Sequence, residues 1–340
     1  MSHINIPIFI PHLGCPNQCI FCNQRYISGT IQFDESSVEK IINDVLSTIP
    51  KGSECEIAFF GGSFTGIDRN LMIRLLDIAQ KYVLSGDIDG IRMSTRPDYI
   101  SDEIISILKN YKVSCVELGI QSMSDDILSI LKRGHTVNDT INATQLLKSA
   151  NIPFVGQMMV GLPSSTKEDE IYCAEQICKM GAVASRIYPT LVFNNTELKD
   201  LTMDNKYTPL SIEEAVIRSR DVLDVFVKNS VECIRIGLCE SDNLHSEETF
   251  FAGPNHPSLG EMVKSALYLK KIEDCLTDQK GKYMEIRCPK GAISQVIGNK
   301  RKNIDYLKSN YGFKIIKVIE DSDLSLFNLK ITVKEEKSCI

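Results

Sequence analysis

From the N-terminus to about residue 236, short apolar runs alternate with longer stretches of helical period. The short runs Ile4–Ile10, Glu56–Phe60, Gly90–Ser94, Cys115–Ile120, Pro153–Val160, Ala184–Thr190 and Cys233–Ile236 predict strands. Apolar positions at 3.6-residue spacing predict helices between them over Glu35–Ile49, Asp68–Val83, Ser101–Asn110, Asp125–Leu131, Val137–Ala150, Thr166–Lys179 and Ser211–Lys228. Several open on a side chain able to accept from the first free N–H groups, such as Asp68 or Ser101, and Ser211 with Glu214 has capping-box spacing. Near-strict alternation of strand and helix implies parallel pairing in a barrel or open α/β sheet. With six or seven units rather than eight, the pattern predicts a partial (β/α)6-type TIM barrel whose site lies at the C-terminal strand ends.

After Ile236 the pattern changes. The turn-rich run from Ala252 to Gly260 precedes a helical stretch, Glu261 to about Ile272, which reads as a cover or connector. From Gly281 the order becomes strand (Lys282–Arg287), helix (Lys290–Ile297), a loop from Gly298 to Arg301, helix (Lys302–Asn310), strand (Phe313–Ile319) and strand (Leu326–Val333). A β-α-α-β-β unit with a Gly-started tetrapeptide between its helices is the KH arrangement, in which that loop clamps a nucleic-acid backbone. The expected organisation is therefore a barrel over 1–236, a connector over 237–280 and a small α+β KH-like domain over 281–340.

Composition sharpens this division. The 340 residues, 43% hydrophobic and 24% charged, can bury a large core. Net charge is −6 overall, yet residues 281–340 hold twelve Lys and Arg against seven Asp and Glu. That local excess is the kind of charge a phosphate backbone attracts. Twelve cysteines spread over a long chain, without a basic N-terminal leader, predict reduced thiols and a cytoplasmic setting. No run of about 18 apolar residues is present, so membrane insertion is not expected.

The chemistry concentrates in Cys15, Cys19 and Cys22, a CxxxCxxC run just after the first predicted strand. Soft thiolates at such spacing select an iron–sulfur cluster or zinc, and a cubane held by three cysteines leaves one iron open to an outside ligand. Zinc would need a fourth ligand, for which His12 is nearest. A second element, Gly61-Gly62-Ser63, follows the second strand, and paired glycines let backbone approach a ligand closely.

CxxxCxxC with Phe21 before the third cysteine, at the end of a first barrel strand, resembles the radical S-adenosylmethionine superfamily. The resemblance implies a 4Fe-4S cluster on Cys15, Cys19 and Cys22, with the methionyl group of S-adenosylmethionine on the open iron. Reductive cleavage would give a 5′-deoxyadenosyl radical that takes hydrogen from substrate, the electron coming from a low-potential flavodoxin or ferredoxin. By the same resemblance Phe21 and Asn23 would lie near the adenosyl group, and Gly61, Gly62 and Ser63 would receive the methionyl amino group. The strings Arg92–Tyr99, Val116–Ser122, Lys132–Thr136 and Arg186–Phe193 further resemble the radical core of the Elongator catalytic subunit, over roughly residues 5–235. Oxygen-independent coproporphyrinogen oxidase is a more distant likeness. These relatives imply polar cofactor contacts from Gln121, to the ribose, and Arg133, to the carboxylate. Ser94 stands where Elongator usually carries Glu, so an acidic contact there is missing or moved, and the resemblance implies that Ser94 itself contacts the cofactor. No acetyl-CoA site is found in the sequence, so acetyl transfer is not expected.

Substrate identity must then come from the basic unit. KH loops usually read GxxG; here Arg301 takes the fourth position, while Gly298, Lys300, Arg301 and Lys302 place three cations beside backbone amides, a pattern suited to RNA phosphate. Tyr306, Tyr311 and Phe313 could stack on bases, although their spacing fits core packing better. Cys233 with Cys239, or Cys275 with Cys288, lack tight ligand spacing and read as isolated thiols. His256 and His135 fit turn positions, and Tyr188 is expected to face the substrate pocket. The sequence thus predicts a radical enzyme acting on RNA; the alternatives are a radical enzyme acting on a small molecule or protein, and a non-catalytic RNA-binding protein with a structural metal.

Overall fold

The computed structural model describes residues 3–10, 13–15, 19–23, 33–50, 52–238, 246–276 and 281–335. Strands β1 (His3–Phe9), β2 (Glu54–Phe60), β3 (Gly90–Thr95), β4 (Val113–Gln121), β5 (Phe154–Val160), β6 (Ala184–Pro189), the two-residue β7 (Val192–Phe193) and β8 (Glu232–Ile236) follow one another along the chain. All but β7 form one curled sheet in chain order, every neighbouring pair parallel, as a partial barrel requires. The crossovers carry α1 (Val38–Leu46), α2 (Arg69–Ser85), α3 (Asp102–Leu108), α4 (Asp125–Ile130), α5 (Val137–Ser149), α6 (Lys167–Met180), α7 (Glu197–Met203) and α8 (Ile212–Lys228).

Side chains alternate across a strand, so the sheet has two chemically distinct faces. One carries Ile6, Ile8, Ile57, Phe59, Ile91, Met93, Val116, Leu118, Met158, Val160 and Ile187, which meet the helices in one buried cluster. The opposite, inner face carries Glu56, Arg92, Ser94, Glu117, Gln157, Arg186 and Tyr188; Ala58 with Arg92, Ser94 with Glu117, and Gln157 with Arg186 are register partners. Helix starts obey the sequence closely. Asp68 and Ser101 accept from Leu71 and Ile104 N–H groups, and Ser211 with Glu214 closes the expected capping box.

The stretch expected as one helix from Glu35 opens instead with a 3-10 turn, Glu35–Ser37, where Asp34 caps Ser36 N–H. Helix α7 lies outside the expected elements, as does the pairing of β7 with β9 (Phe250–Ala252), whose two and three residues carry too few alternating positions to read from pattern.

Helix α9 (Leu259–Cys275) carries the C-terminal unit: β10 (Tyr283–Cys288), α10 (Ile293–Ile297), α11 (Lys302–Tyr311), β11 (Ile315–Glu320) and β12 (Lys330–Lys334). The central β10 runs parallel to β11 and antiparallel to β12, in the predicted β-α-α-β-β order. Phe327 N–H donates to the Tyr268 hydroxyl of α9 at 3.1 Å, and Asn303 donates to Ser265 O at 3.2 Å. The hydroxyls of Tyr306 and Tyr311 donate to Glu273; Phe313 is buried and Tyr311 packs against the core, while Tyr306 is 40% exposed. Ile272, Met284, Ile286 and Leu307 belong to the same apolar cluster as the barrel core. Among the described residues, no helix is long and apolar enough to cross a membrane.

Candidate active site

β1 brings the chain to the C-terminal rim, where Ile10 N–H donates to Phe60 O at 2.7 Å and the cysteine loop begins. Gly14 has φ of +70°, and a Cβ there would lie 2.3 Å from Ser63 O. A Cβ on Gly62 would lie 2.5 Å from Leu13 O, and one on Gly66 would lie 2.7 Å from Gly14 O. The glycines therefore do a job the sequence did not reveal: they let the segment after β2 and the cysteine loop pack backbone against backbone. Ser63 is buried in that contact, its N–H donating to Leu13 O at 3.3 Å, and Gly61 takes φ of +93° beside Ile10.

Further along, Cys22 N–H donates to Cys19 O at 3.0 Å, turning the loop. Ile20 fixes it from two sides: its N–H donates to Leu131 O after α4, and its carbonyl accepts from Leu198 N–H in α7. Cys19 is buried, while Cys15, Cys22, Phe21 and Asn23 are half-buried, with Phe21 packed against the cluster of Ile20, Ile127 and Leu131. His12 and Cys239 lie outside the described residues.

β4 and the turn after α4 supply two polar groups to the same place. Arg133 is 8% exposed; its Nη1 donates to Cys19 Sγ at 3.6 Å and its Nη2 to Gly119 O at 2.9 Å. A Cβ on Gly119 would approach Arg133 Nη2 to 2.7 Å and Gln121 Nε2 to 3.0 Å, so this glycine makes room for both. Gln121 sits at a register shift with φ of +67° and accepts from Gln157 Nε2 at 3.1 Å. Neither is a solvated surface group; both are buried at the rim beside the cysteines.

Two further residues lie here that the sequence reading did not assign. Arg96, just after β3, is 1% exposed and pairs with Asp98 through two hydrogen bonds, and the Cys15 thiol is within its reach. His135 is buried too, and its pKa is pushed down to about 3, first by burial and then by the charge of Arg133, so it stays neutral. Arg96 lies in the string Arg92–Tyr99 that carries the Elongator resemblance, but nothing in the sequence gives the direction of its side chain.

Below the rim, the inner face carries a ladder of ion pairs. His3 Nε2 and Arg92 Nε each lie 2.8 Å from Glu56, Arg92 reaches Glu117 at 3.3 Å, and Arg186 reaches Glu117 at 2.7 Å. Arg186 also donates to the Tyr188 hydroxyl at 3.3 Å. Burial works against the Arg186 charge, but Tyr188 and Glu117 outweigh it and hold the guanidinium protonated. Tyr188 thus faces the inner side, as expected. Polar residues placed two apart within otherwise apolar strands, Arg92 with Ser94 and Arg186 with Tyr188, were the available signal for this polar interior.

The other candidates are placed apart from the cysteines. His256 Nδ1 accepts from Ser258 N–H at 3.0 Å in a turn, and it lines a small cavity with Pro189 and Ile236 at the ends of β6 and β8. Cys233 and Cys288 donate to the Arg235 and Ile319 carbonyls as isolated thiols. Gly298, Lys300, Arg301 and Lys302 form the turn between α10 and α11, far along the chain on the C-terminal unit.

Three soft donors on one loop, a rim glycine segment packed against it and buried guanidinium groups beside two of the sulfurs suit a thiolate-held cluster. Among the described residues, no three His, Cys, Asp or Glu side chains gather tightly enough to hold a single metal ion. A cubane takes its cysteines on different irons and does not need that convergence. Fold and site together define an α/β partial-barrel enzyme with an iron–sulfur site at the strand ends.

Residues 9–176 match the family described as the Radical SAM superfamily, and residues 183–269 match the Radical_SAM C-terminal domain. The chain belongs to the radical SAM superfamily: it is a radical SAM enzyme whose cofactors are a 4Fe-4S cluster and S-adenosylmethionine. It is 37% identical over 127 residues to the tRNA uridine(34) acetyltransferase of Methanocaldococcus jannaschii, covering 36% of this chain and 24% of that protein. It is 30% identical over 218 residues to the tRNA-2-methylthio-N(6)-dimethylallyladenosine synthase of Fusobacterium nucleatum, covering 61% of this chain and 47% of that protein. The solved structure of the archaeal Elp3 of Methanocaldococcus infernus aligns with a TM-score of 0.63 at 24% identity, covering 80% of this chain and 63% of that one. The radical SAM core is Elongator-like, while the chain spans about a quarter of that acetyltransferase and about half of that synthase.

Proposed function

We propose that this enzyme modifies RNA, using the Cys15, Cys19 and Cys22 cluster at the rim and gripping the substrate's phosphates with the basic turn of the C-terminal unit. One observation carries the RNA reading. Lys300 and Arg301 have φ of +49° and +67°, a conformation that side chains rarely adopt, and with Lys302 they stand exposed on a unit built onto the barrel's own core. Unfavourable backbone held at consecutive cations is the kind of local cost that persists where a surface has a task. Two relatives named for tRNA modification support the same substrate class.

Cys15, Cys19 and Cys22 would hold the 4Fe-4S cluster, which when bound and reduced would supply the reductive cleavage of S-adenosylmethionine. This chain's residues position the reactants. Gly61, Gly62 and Ser63 offer backbone to the methionyl amino group, Arg133 a guanidinium to its carboxylate, and Gln121 an amide to the ribose. Phe21 and Asn23 border the adenosyl group, and Ser94 leaves the inner wall uncharged at its position. The ion-pair ladder fixes the inner wall, and the walls keep water from the radical. A flavodoxin or ferredoxin delivers the electron, and a reducing cytoplasm keeps the three thiols free for iron.

The test is anaerobic reconstitution followed by crosslinking to cellular RNA and nucleoside mass spectrometry. About four iron per chain and 5′-deoxyadenosine release under dithionite are expected, both lost in Cys15→Ala, Cys19→Ala and Cys22→Ala. Recovery of no crosslinked RNA from an enzyme that still cleaves S-adenosylmethionine would favour a small-molecule or protein substrate instead.

A further inference from the structure

Arg96 is the most deeply buried charged residue among those described, at 1% exposure, and its surroundings are one-sided. Nε and Nη2 donate to the Asp98 carboxylate at 2.9 and 2.7 Å, and the guanidinium carbon lies 5.5 Å from the centre of the Tyr99 ring. The third nitrogen, Nη1, is buried without a hydrogen bond of normal geometry. Leaving a buried donor unmet carries the full cost of its desolvation, larger for a charged group, so a fold keeps one where something can accept from it. The Cys15 thiol is the candidate acceptor within reach. Burial disfavours the Arg96 charge, yet Asp98 and then Cys15 outweigh it. Across the loop, Arg133 makes the corresponding contact with Cys19 Sγ at 3.6 Å. His135, held neutral by burial and then by the charge of Arg133, adds no third charge.

We infer that Arg96 is a positioning residue for electron transfer: its Nη1 donates to the Cys15 sulfur once that sulfur ligates iron, and this contact raises the cluster's reduction potential. Reduction adds one electron, from a low-potential donor protein or dithionite, and hence one negative charge to the cluster. A guanidinium against a ligand sulfur favours the form with more negative charge, as hydrogen bonds and net charge near such clusters do in general. Asp98 opposes it, because its carboxylate cancels much of the cation's field, and it also fixes the plane in which Nη1 points. The pair therefore acts as a matched plus and minus whose two halves can be removed separately, with opposite consequences.

The experiment is an EPR-monitored redox titration of reconstituted wild type, Arg96→Met, Arg96→Lys and Asp98→Asn, in the absence of S-adenosylmethionine and at matched iron content. Arg96→Met is expected to make reduction harder by about tenfold in the one-electron equilibrium, a shift of about 59 mV to more negative potential. Arg96→Lys should shift in the same direction by less, since it keeps the charge and loses the planar fork. Asp98→Asn should shift the other way. If Arg96→Met does not take up iron, the lysine and asparagine variants decide the sign between them. Unchanged potentials in the variants that load, or shifts of one sign for both Arg96 and Asp98 substitutions, would overturn the inference and leave Arg96 as a scaffold for the rim.

Discussion

At Gly14 the protein has no room for a methyl group: the nearest backbone oxygen would stand 2.3 Å from it, and the φ of +70° is itself disfavoured for any L side chain. Gly14→Ala should therefore strain the rim by about 1–3 kcal/mol and open the contact between the two loops. The expected result is a folded protein, judged by far-ultraviolet circular dichroism, that incorporates less than half the wild-type iron on reconstitution. Full iron incorporation would mean that the cysteine loop does not depend on this packing. Much of the site was readable at this scale. Cysteine spacing named the chemistry, and the glycine pair follows the second strand, as expected. The sequence could not say that the glycines accommodate the cysteine loop, nor that Arg96 turns inward, because backbone approach and side-chain direction are set by distant strands.

Elements meet across a small number of buried charges, and Asp224 of α8 is one whose consequences can be measured. Its carboxylate accepts from Lys228 at 2.9 Å and from Lys270 of α9 at 3.1 Å, joining the barrel's last helix to the helix that bears the C-terminal unit. Burial alone would raise its pKa, but the two lysines prevail and hold it below the ordinary carboxylate value. A carboxyl with a lowered folded pKa stabilises the fold above its unfolded pKa of about 3.9 and loses that contribution as pH falls through the folded value. Asp224→Asn should accordingly unfold at lower urea than wild type at pH 7, with the gap narrowing as pH drops below about 4. A gap independent of pH would show that packing, and not charge, joins α8 to α9. Helix starts were legible because capping is local, as Ser211 and Glu214 demonstrate. The register shift before Gln121 and the β7–β9 pairing were not, since both depend on partners remote in sequence.

For the whole molecule, the expected separation into barrel, connector and basic unit describes the order of elements, while the apolar cluster runs from Ile6 of β1 to Phe327 beyond β11 without a break. Unfolding followed by a barrel probe and by a probe in the C-terminal unit should give superimposable curves; two separated transitions would contradict a shared core. Binding to single-stranded RNA should weaken with salt, and Lys300→Glu with Arg301→Glu should flatten the log–log dependence by about 1–2. An unaltered slope would remove this turn from the binding surface. Alternation of strand and helix made the partial barrel legible from the chain alone, whereas its charged interior was not, because buried ion pairs read as exposed charges until register brings them together.

The continuous core also sets a distance. Asn303 and Phe327 tie the C-terminal unit to Ser265 and Tyr268 of α9, and its apolar residues join the barrel's cluster, so the proposed grip would present a substrate at a set reach from the cysteines. On the proposed reading, the reach from that turn to the cysteines would select the target atom, and a substrate one nucleotide longer or shorter between the two points would be bound as firmly and left unmodified.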